Sequence, residues 1–170
     1  MNYSTIKYCD IANGTGVRTT LFVSGCRNHC KGCFQPETWD FNYGQPFTSE
    51  TTKEIIANSN HDYIEGLTLL GGDPFEEENQ RDLYVLTSTF KTHFPNKNIW
   101  AYTGYLYEDL LEGKKQTDFT RLLLENIDVL VDGPFIQEQK NLCLKFRGSE
   151  NQRLIDLNAT RKIGQLVEIQ

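Results

Sequence analysis

The sequence contains no long apolar run. No segment of the 170 residues approaches the ~18 consecutive apolar residues that a membrane-spanning helix requires. The first residues, Met1 to Lys7, also contain no apolar core of the kind found in signal peptides. We therefore expect a cytoplasmic protein that does not enter a membrane.

An excess of positive charge is also missing. The chain has 17 Lys and Arg residues against 23 Asp and Glu residues, and its formal net charge is −6. This balance disfavours unspecific binding to nucleic acids and to anionic membranes, so we expect no direct nucleic-acid partner. The length is that of a single domain, residues 1–170, and is too short for a closed eight-fold barrel of about 250 residues.

Five cysteines in a chain without an export signal favour a reduced metal site over disulfides. Cys26, Cys30 and Cys33 lie within eight residues, directly after the apolar run Leu21 to Val23. A Cys-x3-Cys-x2-Cys loop can direct three thiolates at one metal centre and leave one position open, as in iron–sulfur clusters that bind a substrate.

The alternative is a zinc site whose fourth ligand is His29, Cys9 or Cys143. Zinc loops usually combine two separate ligand pairs, and this chain has one triplet and no second pair. The spacing therefore favours an iron–sulfur cluster over zinc, with Cys9 and Cys143 as small residues of the core.

Hydrophobic patterning predicts strands that alternate with helices. Residues 1–15 mix polar and turn-forming residues, and Asn13-Gly14-Thr15-Gly16 predicts a flexible turn. The remaining elements follow from apolar runs, helix caps and glycine or proline breaks. We predict strands at 17–24, 66–70, 98–102 and 128–132, and helices that begin near Thr48, near Glu76 and near Phe119. This order is typical of an α/β fold with a mainly parallel sheet. Residues 136–170 break the pattern and predict an irregular C-terminal extension, with extended pieces at 142–146, 153–157 and 162–169.

Three loops follow the predicted strands at one edge of the sheet. They contain the cysteines, Gly71-Gly72-Asp73-Pro74 and Thr103-Gly104. Ligands of open α/β sheets bind at the carboxyl ends of the strands, and glycines there allow a close approach of backbone to ligand. Paired glycines are also common in simple turns, so this motif alone leaves both interpretations open.

The motifs resemble those of a known superfamily. The cysteine triplet is similar to the CxxxCxxC signature of radical S-adenosylmethionine enzymes, and Gly71 to Pro74 resembles the motif that holds the methionine end of their cosubstrate. Gly14 to Arg18 and Phe34 to Trp39 are similar to segments of the glycyl-radical-enzyme activases. Asp128 to Phe135, Arg147 to Ser149 and Asn151 to Arg153 resemble the activating proteins of anaerobic ribonucleotide reductase.

The resemblance implies an open, partial (β/α) barrel that is characteristic of small radical S-adenosylmethionine enzymes. It implies that a 4Fe-4S cluster is bound by Cys26, Cys30 and Cys33, with no catalytic residue beyond the cluster. It also implies contacts to S-adenosyl-L-methionine from a set of loop residues, namely Gly32, Cys33, Phe34, Gly71, Gly72, Asp73 and Thr103, with Tyr102 and Gly104 ranked lower.

The implied activity is an oxidoreductase reaction. The reduced cluster cleaves S-adenosylmethionine, and the 5′-deoxyadenosyl radical removes hydrogen from a glycine of the reductase, which leaves a glycyl radical. The implied partners are the large subunit of an anaerobic ribonucleoside-triphosphate reductase and an electron donor such as reduced flavodoxin. The basic groups of the C-terminal extension are either solvated charge or part of a docking surface.

Two other classes of function are open at this stage. One is another small radical S-adenosylmethionine enzyme, such as the activase of pyruvate formate-lyase or a small-molecule synthase. The other is a non-enzymatic iron–sulfur carrier or zinc module. A carrier needs four protein ligands and no cosubstrate glycines, so binding of S-adenosylmethionine distinguishes these classes.

Overall fold

The computed structural model describes residues 1–113 and 117–169. They form one sheet of seven strands with helices beside it. The strands are β1 (Asn2–Asp10), β2 (Val17–Val23), β3 (Gln45–Pro46), β4 (Ile64–Gly71), β5 (Asn98–Tyr102), β6 (Val129–Asp132) and β7 (Arg153–Asp156). The helices are α1 (Ser49–Ser59), α2 (Glu77–His93), α3 (Tyr107–Glu112), α4 (Thr120–Asn126) and α5 (Leu157–Ile163), with short 3₁₀ turns at Pro36–Trp39 and Gln137–Gln139.

Four neighbouring strands, β2, β4, β5 and β6, run parallel. Each connection between them moves one position in the same direction along the sheet. Right-handed crossovers that all move one way place their helices on the same face. Apolar side chains of that face, such as Leu69 and Ala101, pack with helix residues such as Leu83, Leu86 and Phe90 in the main core.

The opposite face of the sheet is more polar. Arg18 is fully buried there. Its guanidinium donates to Thr68 Oγ1 at 2.6 Å and to the carbonyl oxygen of Leu67 at 2.9 Å, and it lies 5.5 Å from the ring centre of Trp100. Burial lowers the pKa of Arg18 to about 10. Loop residues such as Asn13 and Phe146 contact this face, and the candidate site lies among these loops.

Antiparallel strands complete the two sides of the sheet, and sequence reasoning missed two of them, β1 and the two-residue β3. No strand was predicted in residues 1–12, but Asn2–Asp10 pairs antiparallel with β2. The turn predicted at 13–16 agrees with the bends found at 12–16. Strand β1 is half exposed and carries polar residues such as Lys7, so it lacks the apolar run of a buried strand. The sheet is partly parallel and is not closed, and the partial barrel stays a prediction.

The four predicted parallel strands and the three predicted helices are confirmed. In the C-terminal extension, the strand at 153–157 is confirmed, whereas residues 142–146 form turns and bends instead of an extended piece. The extended piece at 162–169 is partly confirmed: residues 167–169 form backbone hydrogen bonds with β7, but the helix α5 reaches Ile163. The carboxylate of Asp156 accepts from the backbone nitrogen of Ala159 at 2.9 Å and caps this helix. The prediction that Cys9 and Cys143 lie in the core is also wrong, since both are exposed.

Membrane-spanning helices are not found in the part of the chain that the structure describes, because none of its helices is both long and apolar enough.

Candidate functional site

A cavity of about 470 Å³ lies at the carboxyl ends of the parallel strands. The loops that follow β2, β4 and β5 contribute residues to its wall, as expected for a ligand site of an open α/β sheet. A further wall comes from residues 133–152, the segment between β6 and β7. We call this segment the β6–β7 segment.

The cavity brings together the residues that the sequence singled out. Its lining includes Cys26, Cys30, Gly32, Cys33, Phe34, Gly71, Gly72, Asp73, Tyr102, Thr103 and Gly104. Binding of S-adenosylmethionine by these residues stays a prediction. His29, Cys9 and Cys143, the proposed fourth ligands of a zinc site, are not among the described residues that line the cavity.

The three cysteines face one cavity as free thiols. Burial raises the pKa of Cys26 to about 12, and the nearby carboxylate of Asp73 acts in the same direction. Burial also raises the pKa of Cys30, although the backbone N–H of Phe135 donates to its sulfur. Thiols in such surroundings become thiolates when a metal supplies positive charge, and thiolate is the ligand that iron–sulfur clusters use. The donor set therefore fits a 4Fe-4S cluster.

The cysteines fit a 4Fe-4S cluster in the type of donor atom and in their shared location. Across residues 1–113 and 117–169, no three His, Cys, Asp or Glu side chains are already close enough together to hold a metal ion. The cysteines share a cavity without forming a closed ligand shell. Ligand binding and ordering of this loop are therefore expected to be coupled.

The cysteine loop is joined to the glycine turn by backbone hydrogen bonds. The nitrogen of Gly72 donates to the carbonyl oxygen of Val23 at 2.7 Å, and the nitrogen of Asp73 donates to that of Gly25 at 2.8 Å. His29 is exposed, and its ring stacks on Trp39 with 4.5 Å between the ring centres. The loop and the glycine turn therefore form one backbone unit at the ends of two adjacent strands.

Gly71 allows the two strands to approach closely. It has a φ of 112°, and a Cβ atom on it would lie 2.6 Å from both the nitrogen and the carbonyl oxygen of Val23. No real Cβ makes such a contact with backbone, and this φ is unfavourable for any residue with a side chain. The glycine turn is therefore required by packing, whatever it binds.

We expect Gly71→Ala to lower the free energy of unfolding by about 3 kcal/mol, because a strained φ and a backbone clash act together. Gly164→Ala is the matched control: Gly164 also has a positive φ, 76°, but no atom lies within 4 Å of the place that a Cβ would take. That control is expected to cost only about 1 kcal/mol. Urea unfolding followed by circular dichroism measures both, and equal losses would contradict the role of close packing at Gly71.

Asp73 connects three loops. Its carboxylate accepts from Asn28 Nδ2 at 3.0 Å, from Thr103 Oγ1 at 2.9 Å and from the backbone nitrogen of Gly104 at 2.9 Å. Burial raises the pKa of Asp73 to about 7, while hydrogen bonds from Thr103 and the backbone lower it. The structure thus places two predicted cosubstrate residues, Asp73 and Thr103, in contact with each other.

Glu76 holds the start of the cysteine loop. It is fully buried. One oxygen accepts from the backbone nitrogen of Arg27 at 2.8 Å and from the hydroxyl of Tyr105 at 2.6 Å, and the other accepts from Arg27 Nη1 at 2.6 Å. The Arg27 guanidinium also lies 4.4 Å from the ring centre of Phe41. The residue next to the first cysteine is therefore tied to the beginning of α2.

Comparison with known proteins agrees with these observations. A family model described as a 4Fe-4S single cluster domain matches residues 12–155. An anaerobic ribonucleoside-triphosphate reductase-activating protein of Enterobacteria phage T4 is 44% identical over 156 residues, which are 91% of this chain and 93% of the relative. Proteins with the same name from Salmonella typhimurium and Vibrio cholerae are 42% and 44% identical over 154 residues, or 89% of this chain and 96% of each relative.

The chain belongs to the family of anaerobic ribonucleoside-triphosphate reductase-activating proteins.

The match to the cluster family covers the whole described lining of the cavity, which runs from Asn13 to Gln152. The resemblance seen in the sequence motifs is thereby confirmed at the level of the family. Beyond these motifs, the structure of this member of the family adds Asn28 and the Arg27–Glu76–Tyr105 contacts, which sequence reasoning missed. Asn28 lies inside the cysteine loop, and its position was the one available signal.

Proposed function

We propose that this chain activates an anaerobic ribonucleotide reductase as a radical S-adenosylmethionine enzyme, with Cys26, Cys30 and Cys33 as the ligands of a 4Fe-4S cluster. The observation that carries this proposal is the shared cavity: three thiols and the Gly71–Gly72–Asp73 turn line the same space at the carboxyl ends of β2 and β4. Membership of the reductase-activating family supports the same assignment.

The chemistry that the cluster supplies when bound is one-electron reductive cleavage of S-adenosylmethionine, whose 5′-deoxyadenosyl radical takes hydrogen from a glycine of the reductase. The residues of the protein position the cosubstrate in the cavity and shield it from solvent. Gly71 and Gly72 expose backbone on which the methionine end of the cosubstrate can lie, and Thr103 and Tyr102 border the space for the rest of it.

Asp73 and Glu76 have a different part in this proposal. Both carboxylates are buried and are bonded to the cysteine loop, Asp73 through Asn28 and Glu76 through Arg27. They are positioning residues, because they fix the loop relative to the glycine turn. Precise placement of reacting groups is a major part of what an enzyme contributes to a cofactor reaction.

The proposed partners are the large subunit of the reductase and an electron donor such as reduced flavodoxin, and the proposed location is the cytoplasm. We also retain the partial barrel as a proposal. Helices pack on one face of the sheet, and the sheet of the described residues does not close. An open edge would give a protein loop lateral access to the cavity, which a closed barrel would deny.

Anaerobic reconstitution with iron and sulfide tests the proposal. We expect about four iron atoms per chain and, after reduction, an electron paramagnetic resonance signal that changes when S-adenosylmethionine is added. Methionine and 5′-deoxyadenosine should form in equal amounts, and a glycyl radical should appear when the reductase is present. A chain that binds zinc tightly and forms no cluster would refute the proposal.

A further inference from the structure

We propose that the rim of the cavity, formed by Phe34, Lys140, Leu142, Lys145 and Arg147, is the docking surface for the glycine-bearing loop of the reductase and for acidic groups that flank it. We call these five residues the rim surface. The inference rests on the proposed function and adds to it the place where the protein substrate binds. Four members line the cavity, and Lys145 lies between two cavity-lining neighbours, Leu144 and Arg147.

The β6–β7 segment that carries most of the rim surface is held in place by its own hydrogen bonds. Asn151 Nδ2 donates to the carbonyl oxygen of Pro134 at 2.7 Å, and Gln152 Nε2 donates to that of Gly133 at 3.1 Å. Phe146 packs edge-on against Trp100, with 5.3 Å between the ring centres. The segment therefore presents its tip at a defined position relative to the sheet.

The rim surface includes two large apolar side chains that are almost fully exposed. Phe34 is 94% exposed and Leu142 is 88% exposed, which makes them the two most exposed large apolar side chains among the described residues. Single exposed apolar residues are ordinary, but these two border the same cavity from opposite parts of the chain. Apolar groups that flank a site entrance are typical of a surface that becomes buried when a partner binds.

The rim surface is also locally positive in an acidic protein. Among the described residues, no ion pair joins Lys140, Lys145 or Arg147 to a carboxylate, and Nη1 of Arg147 donates to the carbonyl oxygen of Gln152 at 2.6 Å. By contrast, Lys31 on the cysteine loop is paired with Glu138. Positive groups without acidic partners, in a chain of net charge −6, favour a partner that brings carboxylates to this place.

The choice of occupant follows from the reaction. A hydrogen atom is transferred only between groups in contact, so the reductase glycine must enter the cavity and its loop must cross the rim. An electron donor has no such need, because electrons cross several ångströms of protein. The rim surface therefore fits the protein substrate better than the electron donor.

The test compares substitutions on the rim with matched substitutions elsewhere. The rim variants are Leu142→Ser and Lys145→Glu. The controls are Ile163→Ser and Lys162→Glu on α5, both at exposed positions that do not line the cavity. Two measurements on reconstituted protein give the reductase concentration at which glycyl radical formation is half-maximal, one with dithionite as the reductant and one with reduced flavodoxin. A third gives the amount of 5′-deoxyadenosine that forms without reductase.

We expect each rim variant to raise the half-maximal reductase concentration roughly tenfold, as is common for a residue near the centre of an interface. Cleavage of S-adenosylmethionine without reductase should stay within about twofold of wild type, and the controls should match wild type in all assays. Higher salt should narrow the difference between Lys145→Glu and wild type, because salt screens exposed charges.

Three results would overturn the inference. Rim variants that match the controls would show that the surface is not used. A loss seen with flavodoxin but not with dithionite would assign the surface to the electron donor. An equal loss of uncoupled cleavage would assign it to the cosubstrate. Failure of the wild-type protein to cleave S-adenosylmethionine is a separate outcome, which refutes the proposed function itself.

Discussion

Cys30→Ala is expected to abolish glycyl radical formation, with activity reduced by roughly a hundredfold or more. Loss of a ligand exceeds the 10- to 100-fold cost that is typical of removing a group that only supports one. Cys26 and Cys33 are already used as ligands in this assignment. No other described His or Cys lines the cavity, so no residue is placed to replace Cys30. Iron content, the reduced-cluster signal and 5′-deoxyadenosine formation measure the effect, and all three should fall together.

Cys9→Ala is the matched control for this experiment. Cys9 is an exposed free thiol on β1 and does not line the cavity. Its loss should leave the iron content and the activity at the wild-type level. If Cys9→Ala and Cys30→Ala lost iron equally, the three-cysteine assignment would be wrong. If Cys30→Ala kept a full cluster, the ligand set would have to include a residue outside the triplet.

Glu76→Gln is expected to lower the free energy of unfolding by about 3 kcal/mol and to reduce the cluster content after reconstitution. The amide of Gln keeps one acceptor oxygen and replaces the other with an NH₂ group, which is a donor. In one orientation this NH₂ group faces Arg27 Nη1. In the other it faces the backbone nitrogen of Arg27 and the hydroxyl of Tyr105. A buried donor that faces another donor has no acceptor, so the folded state is destabilised by the full desolvation cost of that donor. The Arg27 guanidinium also loses its buried carboxylate partner.

Glu78→Gln provides the comparison, because Glu78 binds the same guanidinium from a half-exposed position. Solvent screens that pair, so the expected loss is below about 1 kcal/mol. Chemical unfolding and iron analysis of both variants measure the difference. The positioning role of Glu76 fails if both variants behave alike, or if Glu76→Gln is destabilised yet reconstitutes a cluster as fully as wild type.

Sequence reasoning found the elements whose residues are apolar on one face or throughout. The parallel strands and helices α1, α2 and α4 are of this kind, because burial requires such runs. It missed β1, whose exposed side carries polar residues, and the two-residue β3. It also missed the short helices α3 and α5, the second of which depends on a cap at Asp156. Neither a half-exposed strand nor a single cap produces a strong local pattern.

In the candidate site, too, sequence reasoning found the residues that form a local pattern and missed the contacts between distant residues. The cysteines and the glycine turn were found because their spacing is local in the sequence. The bond between Arg27 and Glu76 was not, because 49 positions separate the two residues and only the parallel pairing of β2 and β4 brings their loops together. Glu76 was found in the sequence only as the place where a helix begins, whereas in the structure it also binds the cysteine loop.

The β6–β7 segment leaves the sheet at Asp132 and returns at Arg153, and these two residues are direct partners in the antiparallel pairing of β6 with β7. Its two ends therefore meet at one place, and its length does not affect the register of the sheet. Such an excursion is a natural unit of exchange: a relative's version of residues 133–152 could be transplanted onto this scaffold as a cassette. The exchanged protein would then activate the relative's reductase in preference to its own, although its cysteine loop and helices are unchanged.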